Sequence, residues 1–277
     1  MKKNIYFVLA LFVIFLSNCE KKEVNTNPEC EITSPVDGDV FVPGEDIFIS
    51  IIASDNEGEV EEVRLYLDGY LVETFTDSPY EFTWSNTWDF SLGNYSFEAI
   101  AVDEAGAETS HTISFSLEQG LIYNSVIYNL DMGTLEYYGL IDNTSTYDNF
   151  DVTLFSNILN NRVDSIYFEL FSSSEIDIAN GEYYFDRYTQ NQFTFDYSDF
   201  FLDFDSSTGT GIVGVVSDGL FKIDRTGNIY RIFLDCTSST GKPIIGYYEG
   251  VLAYFDRTLK SESGFHKKRK FPLKTDY

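Results

Sequence analysis

Apolar and polar residues alternate along most of this chain, and a period of two is typical of β-strands that bury one face. About seven such stretches lie between residues 29 and 118, and the Asp68-Gly69 pair between two of them favours a tight hairpin. This spacing predicts an immunoglobulin-like β-sandwich. The alternating apolar positions are Ile47, Ile49, Ile51 and Ala53; Val63, Leu65 and Leu67; Tyr80, Phe82 and Trp84; Tyr95, Phe97, Ala99 and Ala101; and Ile113, Phe115 and Leu117.

The same alternation continues from residue 121 to residue 257, where breaks rich in Gly, Asn and Ser separate about eight to ten strand candidates. Apolar positions are odd up to Tyr197 and even from Phe200, so we expect a turn or bulge between Tyr197 and Asp199. The fold class predicted for the whole chain is therefore all-β. Its second domain is an antiparallel sandwich or a closed barrel, and the sequence does not separate these two.

Both ends of the chain differ from these domains. Residues 1–18 have a basic start and a run of twelve apolar residues, which is typical of a secretory signal peptide and too short for the ~20 residues of a membrane span. Residues 19–28 are polar and predict a tether, and residues 258–277 form a basic tail that includes His266 and Lys267.

The residues that lead to Cys19 resemble a bacterial lipobox, although Asn18 stands where Gly or Ala is usual. The resemblance implies that Cys19 is acylated and that the lipid bilayer holds the mature chain through it. An ordinary signal peptide followed by an unrelated Cys is the alternative.

Two regions resemble parts of known bacterial families. Residues 29–118 are similar to the bacterial Ig-like domains of secreted and surface proteins, which implies a spacer or an interaction module. Residues 221–252 resemble the closing hairpins of β-rich domains of unknown function in Bacteroidota lipoproteins, which implies an outer-membrane lipoprotein on either its surface or its periplasmic side. The Ig-like resemblance rests on ITSPVDGD (32–39), ASDNEGEVEEVRLYLDG (53–69), SPYEFTW (78–84) and GNYSFEAIAVDEAG (93–106).

Charge and composition narrow the possible partners. The 277 residues include 18 Lys and Arg against 45 Asp and Glu, a formal net charge of −27, which argues against nucleic acid because phosphate contacts need clustered bases. Two His and three Cys provide neither a His-rich metal site nor a disulfide framework. The G-x-G-x-x-G stretch at 209–214 precedes β-branched residues instead of a helix, so no cofactor is expected.

The remaining chemistry lies in acidic turns and tyrosines. Oxygen ligands at Asp55, Glu57 and Asp103 are candidates for calcium, although Asp is also a common turn former. Cys236 lies on an apolar face and is expected in the core. Tyrosines beside turn signals are candidates for a ligand platform, with ordinary packing as the alternative. They are Tyr183, Tyr184, Tyr188, Tyr247 and Tyr248.

These observations predict a cell-envelope lipoprotein that binds a glycan, a surface polymer or an envelope protein without catalysis. The first alternative is a structural spacer or adhesin subunit without a small-molecule ligand. The second is a glycoside hydrolase that uses acidic residues, which requires two carboxylates in a cleft with at least one raised pKa. No catalytic residue is assigned from the sequence.

Overall fold

The structure is a computed structural model that describes residues 25–140, 147–173 and 177–258. These residues form three β-sheets and one 3₁₀ turn, Thr87–Asp89, and they contain no α-helix, which confirms the all-β prediction. No helix in these ranges is long and apolar enough to cross a bilayer. The predicted signal peptide, Cys19 and the tail from residue 259 lie outside the described residues.

The Ig-like region consists of a three-stranded sheet in the order β1-β3-β6 and a five-stranded sheet in the order β2-β8-β7-β4-β5. Asp68 and Gly69 form the predicted hairpin turn with φ angles of 48° and 80°, as a primed turn requires. The strands are β1 Glu29–Ser34, β2 Asp39–Phe41, β3 Ile47–Ser54, β4 Val60–Leu67, β5 Tyr70–Phe75, β6 Tyr80–Trp84, β7 Gly93–Asp103 and β8 Glu108–Leu117.

Most of the predicted inward positions of these strands are buried, and Ala53, Phe82 and Tyr95 are half-buried. Trp84 on β6 meets Phe115 on β8 edge to face, with ring centroids 5.9 Å apart, so side chains of the two sheets share one aromatic core.

The chain as a whole divides into two compact units. Among the described residues, one unit consists of those up to Thr33 with Ser50–Glu81 and Phe97–Thr112, and the other consists of Ser34–Ile49, Phe82–Ser96 and the described residues from Ile113 onward.

A single eleven-stranded sheet follows, in the order β10-β9-β18-β17-β16-β14-β15-β13-β12-β11-β19. Most pairs are antiparallel, but β11 pairs with β19 and β14 pairs with β15 in parallel, which the sequence pattern did not indicate. The strands are β9 Gly120–Tyr123, β10 Val126–Tyr128, β11 Met132–Leu140, β12 Tyr147–Phe155, β13 Arg162–Ser173, β14 Gly181–Phe185, β15 Thr194–Asp205, β16 Thr210–Thr226, β17 Ile229–Ser238, β18 Pro243–Gly250 and β19 Leu252–Asp256.

This sheet rolls up on itself. Strands β18 and β19 stand third and last in its order, yet only Val251 separates them along the chain. In a flat sheet they would lie roughly 35–40 Å apart at a strand spacing of ~4.8 Å, whereas two residue-to-residue steps of the backbone span at most ~7.6 Å. The sheet therefore curls until β19 reaches the end of β18. Gly133 on β11 allows β19 to approach closely, because a Cβ on Gly133 would lie 2.4 Å from Leu252.

The rolled sheet encloses one hydrophobic core. Phe168 lies near its centre and is fully buried, with ring centroids 5.3 Å from Phe195 and 4.9 Å from Phe221. The change of parity predicted between Tyr197 and Asp199 is a β-bulge at Asp196, because Tyr197 pairs with Glu169 while Phe195 pairs with the next residue, Leu170. From Ser198 to Leu202 the even positions face the core.

Candidate functional site

Polar and aromatic side chains cover the outer face of four neighbouring strands, β11, β12, β13 and β15. One cross-strand row consists of Glu136, Asp151, Glu169 and Tyr197. In the next row Tyr167 on β13 pairs with Asp199 on β15. We call this surface the tyrosine–carboxylate face, and it comprises Glu136, Tyr138, Asn149, Asp151, Tyr167, Glu169, Tyr197 and Asp199.

Tyrosine hydroxyls donate hydrogen bonds to the carboxylates of this face. The Tyr138 hydroxyl lies 2.6 Å from Glu136 Oε2, and the Tyr197 hydroxyl lies 3.1 Å from Asp199 Oδ2. The Arg257 guanidinium adds a charge-assisted bond of 2.8 Å to Glu136 Oε1 on β11. The carboxylates are therefore held in place by neutral hydroxyl donors and one cation.

Two tyrosine rings form the aromatic part of this face. The centroids of Tyr167 and Tyr197 lie 6.0 Å apart, and 36% of the Tyr197 surface is exposed. Burial, followed by the negative charge of Asp151 and Glu169, raises the pKa of Tyr167. Burial and the Asp199 carboxylate likewise raise the pKa of Tyr197. Both hydroxyls consequently stay protonated and act as donors at neutral pH.

Asp199 is the least satisfied member of the face. Only 8% of its surface is exposed, and its Oδ1 atom has no hydrogen-bond partner among the described residues. Burial raises the pKa of this carboxyl, and the bond from Tyr197 opposes the shift. A buried carboxylate oxygen without a donor is unfavourable, so this position calls for a donor from outside the chain.

A cavity of about 350 Å³ lies where the loop after β14 meets β16. Strand β16 pairs with β15 up to Val215 and with β14 from Leu220 onward, and the cavity opens between these pairings. Val215 pairs directly with Asp199, and Ser217 in the cavity wall lies in a β-bulge of β16 between Val216 and Asp218. The walls are formed by Phe185, Asp186, Arg187, Tyr188 and Ser217.

The loop after β14 is fixed by its own side chains. Asp186 Oδ1 accepts the backbone N–H groups of Tyr188 and Thr189 at 2.9 and 3.2 Å, and its Oδ2 accepts the Thr189 hydroxyl. These bonds, with that of the Thr189 hydroxyl the largest, lower the pKa of Asp186. Gln190 Nε2 donates to Asp196 Oδ2 at 2.9 Å, which ties the loop to the bulge of β15. Tyr188 is thereby held on an ordered loop while 90% of its surface is exposed.

The structure separates the five candidate tyrosines into two groups. Tyr184 and Tyr188 are exposed, whereas Tyr183, Tyr247 and Tyr248 are buried and offer no ring face to a ligand, which corrects the prediction for these three. Neighbouring strand residues point to opposite faces, so Tyr183 faces the core while Tyr184 faces outward.

Each buried tyrosine has a hydroxyl partner inside the protein. The Tyr183 hydroxyl lies 2.8 Å from both Ser172 Oγ and the Ala179 carbonyl, and burial raises its pKa to about 12. Arg231 Nε donates to the Tyr247 hydroxyl at 2.9 Å, and the Tyr248 hydroxyl donates to the Val251 carbonyl at 3.0 Å. These three side chains therefore contribute to ordinary packing, which was the alternative to a ligand platform.

Tyr167 and Tyr197 were not among the candidates. The available signal was the spacing Tyr197-Ser198-Asp199, because residues two apart on a strand share one face. The same spacing joins Glu136 to Tyr138, Glu182 to Tyr184 and Tyr247 to Glu249, each with a hydroxyl–carboxylate bond of 2.6–2.8 Å. Since the last pair contains a buried tyrosine, the spacing alone does not identify a binding face.

The calcium candidates lie in turns whose oxygens have partners inside the chain. Asp55 Oδ1 accepts the backbone N–H of Glu57 at 2.9 Å. Asp103 Oδ1 accepts the N–H groups of Ala105 and Ala107, and its Oδ2 accepts Asn25 Nδ2 at 2.7 Å. The bond from Asn25 is the largest cause of a lowered pKa at Asp103. No group of three or more His, Cys, Asp or Glu in the described ranges is placed to hold a metal ion.

Cys236 is buried as predicted, and desolvation raises the pKa of its thiol to about 12. Such a thiol is a poor nucleophile at neutral pH. Cys30 is also a free thiol in the structure. Cys19, the predicted lipidation site, lies outside the described residues.

Comparison with known proteins identifies one segment. Residues 28–114 match the family model described as Bacterial Ig domain. This segment is Ig-like. Its limits agree closely with residues 29–118, for which the sequence motifs predicted the same fold, whereas no curated protein matches the chain.

Three solved structures are similar to parts of the chain. Fibronectin(III)-like modules of Clostridium thermocellum CbhA are 27% identical over 32% of this chain and 94% of their own, with a TM-score of 0.29. Carbohydrate-binding modules from the β-sandwich superfamily are 13% identical over 83% of this chain and 94% of theirs, with a TM-score of 0.28. SGBP-B of the Bacteroides ovatus mixed-linkage glucan utilization locus, in complex with a mixed-linkage heptasaccharide, is 10% identical over 83% of this chain and 71% of its own, with a TM-score of 0.25.

Proposed function

We propose that this chain is a non-catalytic binding module of the bacterial cell envelope and that its tyrosine–carboxylate face binds an uncharged glycan. The observation that carries the proposal is the pair of tyrosine rings, Tyr167 and Tyr197, beside the Asp199 carboxylate, whose Oδ1 has no hydrogen-bond partner among the described residues.

The chemistry of this face suits a sugar. A tyrosine ring packs against the C–H face of a pyranose and contributes contact area with little loss of rotamer entropy. Sugar hydroxyls donate hydrogen bonds, and carboxylate oxygens accept them in charge-assisted geometry. The tyrosine hydroxyls of the face already donate to carboxylates in this way, so an incoming hydroxyl would meet the same type of acceptor.

Charge narrows the class of glycan. The face contains four carboxylates, Glu136, Asp151, Glu169 and Asp199, and the Arg257 guanidinium pairs with Glu136. The chain as a whole has a formal net charge of −27. Like charges repel most strongly where water is excluded, so uronate or sulfate groups would be unfavourable on this face.

Replacement of Tyr197 by alanine tests the proposal. In affinity gel electrophoresis with uncharged polysaccharides such as β-glucan, galactomannan and xylan, we expect wild-type protein to be retarded by at least one and Tyr197→Ala to be retarded much less. Tyr70→Ala is the matched control, because Tyr70 is 78% exposed and lies in the Ig-like segment. Equal retardation of Tyr197→Ala and wild type would contradict the assignment of this face.

The two alternatives predict different results in the same assay. A spacer or adhesin subunit without a glycan ligand shows no retardation in any gel. A hydrolase releases reducing ends from the polysaccharide, and Asp199→Asn abolishes that release if this carboxyl, whose burial raises its pKa, is the general acid.

The envelope location rests on Cys19 and is tested separately. We expect wild-type protein to incorporate labelled fatty acid and to fractionate with membranes, and Cys19→Ala to lose both properties. Continued labelling of the variant would overturn the lipoprotein assignment. Protease treatment of intact cells then distinguishes the cell surface from the periplasmic side.

A further inference from the structure

We infer that the basic tail of this chain, residues 259–277, binds the tyrosine–carboxylate face of the same molecule and competes there with a glycan. This inference rests on the proposed function and adds a partner that regulates the same face. The tail lies outside the described residues, whereas the face and the point at which the tail begins are both described.

The charge of the tail is opposite to that of the face. Residues 259–277 contain six Lys and Arg against two Asp and Glu, and four of these bases are consecutive at positions 267–270. The eight residues that define the face include four carboxylates and no Lys or Arg. Opposite charges attract more strongly where water is partly excluded, as it is around the half-buried and buried carboxylates of this face. The tail and the face are therefore complementary.

The tail begins at the border of the face. Strand β19 pairs in parallel with β11, and beyond it the Arg257 N–H donates to the Tyr137 carbonyl at 2.8 Å. The Arg257 guanidinium already reaches the face, where it donates to Glu136 Oε1 at 2.8 Å. Thr258, the last described residue, also lies beside β11, because a Cβ on Gly139 would be 3.2 Å from its Cγ2 atom. Residue 259 thus follows directly from the edge of the face.

The tail is long enough to cross the face. Strands β11, β12, β13 and β15 are successive neighbours in the sheet, so the face is roughly 15 Å wide at ~4.8 Å per strand. The steps from Thr258 to Lys267 span up to ~30 Å in an extended chain. The bases at 267–270 can therefore reach every carboxylate of the face. Because the tail is tethered at its border, its effective concentration there is high.

Asp199 provides an acceptor that a base of the tail could use. Only 8% of its surface is exposed, and its Oδ1 atom has no partner among the described residues, while Oδ2 accepts the Tyr197 hydroxyl. Lysine and arginine side chains donate charge-assisted hydrogen bonds to carboxylates. A base of the tail and a hydroxyl of a glycan would compete for this acceptor, so the tail is expected to weaken glycan binding.

Carbodiimide cross-linking of the full chain tests the contact without any glycan. The reagent joins a lysine amine to a carboxylate that it touches, and mass spectrometry of the monomer identifies the joined residues. We expect the lysines at 267–270 to be joined to Glu136 or Glu169. The yield should fall about fivefold between about 20 mM and about 500 mM salt, because salt screens the attraction. No cross-link to the face, or equal yields on acidic residues throughout the chain, would overturn the inference.

Glycan titration at two salt concentrations tests the competition. The probe is a hexasaccharide of the uncharged polysaccharide that retards wild type. The neutral variant is Lys267→Gln, Lys268→Gln, Arg269→Gln and Lys270→Gln, and the control replaces the three lysines by arginine and keeps the charge. At low salt we expect the neutral variant to bind about fivefold more tightly than wild type and control, which corresponds to a tail that occupies the face about 80% of the time. At high salt the three proteins should bind alike.

The possible failures are distinguishable. If the neutral variant and wild type bind the hexasaccharide equally at low salt, the competition is wrong while glycan binding at Tyr197 stands. If none of the three proteins binds any uncharged glycan at either salt concentration, the proposed function fails and the competition with it. Binding of anionic phosphatidylglycerol vesicles by wild type but not by the neutral variant, without cross-links to the face, would assign the tail to a lipid surface and overturn the inference.

Discussion

The two faces of strands β13 and β15 differ sharply in chemistry. On the inner face Phe168, Leu170 and Phe195 are fully buried among other apolar side chains. On the outer face, one residue away along the same strands, lie Tyr167, Glu169 and Asp199. The inner face supplies hydrophobic free energy that stabilises the rolled sheet. The outer face is not needed for that role, so its chemistry is available for binding.

The outer face also differs from an ordinary solvated surface. Only 8% of the surface of Asp151 and 8% of the surface of Asp199 is exposed to solvent. Burial raises the pKa of Asp199. Charged groups on a solvated face stay hydrated and have near-normal pKa values, because water stabilises the charge. Partial desolvation of a carboxylate lowers the stability of the fold and strengthens the hydrogen bonds that the carboxylate accepts from a ligand. Binding sites commonly show this compromise between stability and function.

Removal of an inner aromatic ring should have the largest effect on stability. We expect Phe168→Ala to lower the free energy of unfolding by about 3–5 kcal/mol, because the substitution leaves a cavity between Phe195 and Phe221. Urea denaturation followed by tryptophan fluorescence and far-UV circular dichroism measures the change. A loss below about 1 kcal/mol would mean that the inner face is not packed as described.

The contrast between the faces explains which parts of the fold the sequence could predict. Period-two alternation locates nearly every strand and predicts the bulge of β15 within three residues, because side-chain parity is a local property. The roll of the sheet was not predictable, since it depends on the pairing of β9 with β18 and of β11 with β19, whose partners lie more than a hundred residues apart. Local patterns contain no information about such long-range pairings.

The candidate site was predictable only in part. Turn signals made five tyrosines candidates for a ligand platform, and of these Tyr184 and Tyr188 are exposed, so their contact with a ligand stays a prediction. The sequence could not show that Tyr247 is buried, since this tyrosine lies on an outer face where it bonds to Arg231 and Glu249. Tyr167 and Asp199 meet only through the register of β13 and β15, so their proximity follows from the tertiary structure.

Substitution of Asp199 on the outer face should change how the free energy of unfolding varies with pH. The change in this pH dependence should be larger than the change in stability at acid pH. The folded state raises the pKa of Asp199 above its ordinary value of 3.8, so the folded protein binds this proton more tightly than the unfolded chain does. Stability from this group is therefore present at low pH and is lost as the pH rises from 3.8 through the raised value. Asp199→Asn does not titrate, so the stability of the variant relative to wild type should increase across that range and stay constant above it.

Urea denaturation at a series of pH values measures this difference. The same variant should bind oligosaccharides less tightly at neutral pH, because the amide is a weaker acceptor than the carboxylate. Parallel stability curves for variant and wild type would show that Asp199 is not desolvated as described. Unchanged binding would show that Asp199 does not contact the glycan, and Tyr197 would remain in the proposed site.

The smallest effect is expected one residue away, on the inner face. Ser198 is fully buried opposite Phe168, and its hydroxyl has no partner among the described residues. Ser198→Ala removes an unsatisfied polar group without a large change of volume, so the free energy of unfolding should stay the same or rise by up to about 1 kcal/mol. Oligosaccharide binding should not change, because the side chain points away from Tyr197. A loss of stability would mean that a buried water bonds to the hydroxyl and that the inner face is less dry than its aromatic residues suggest.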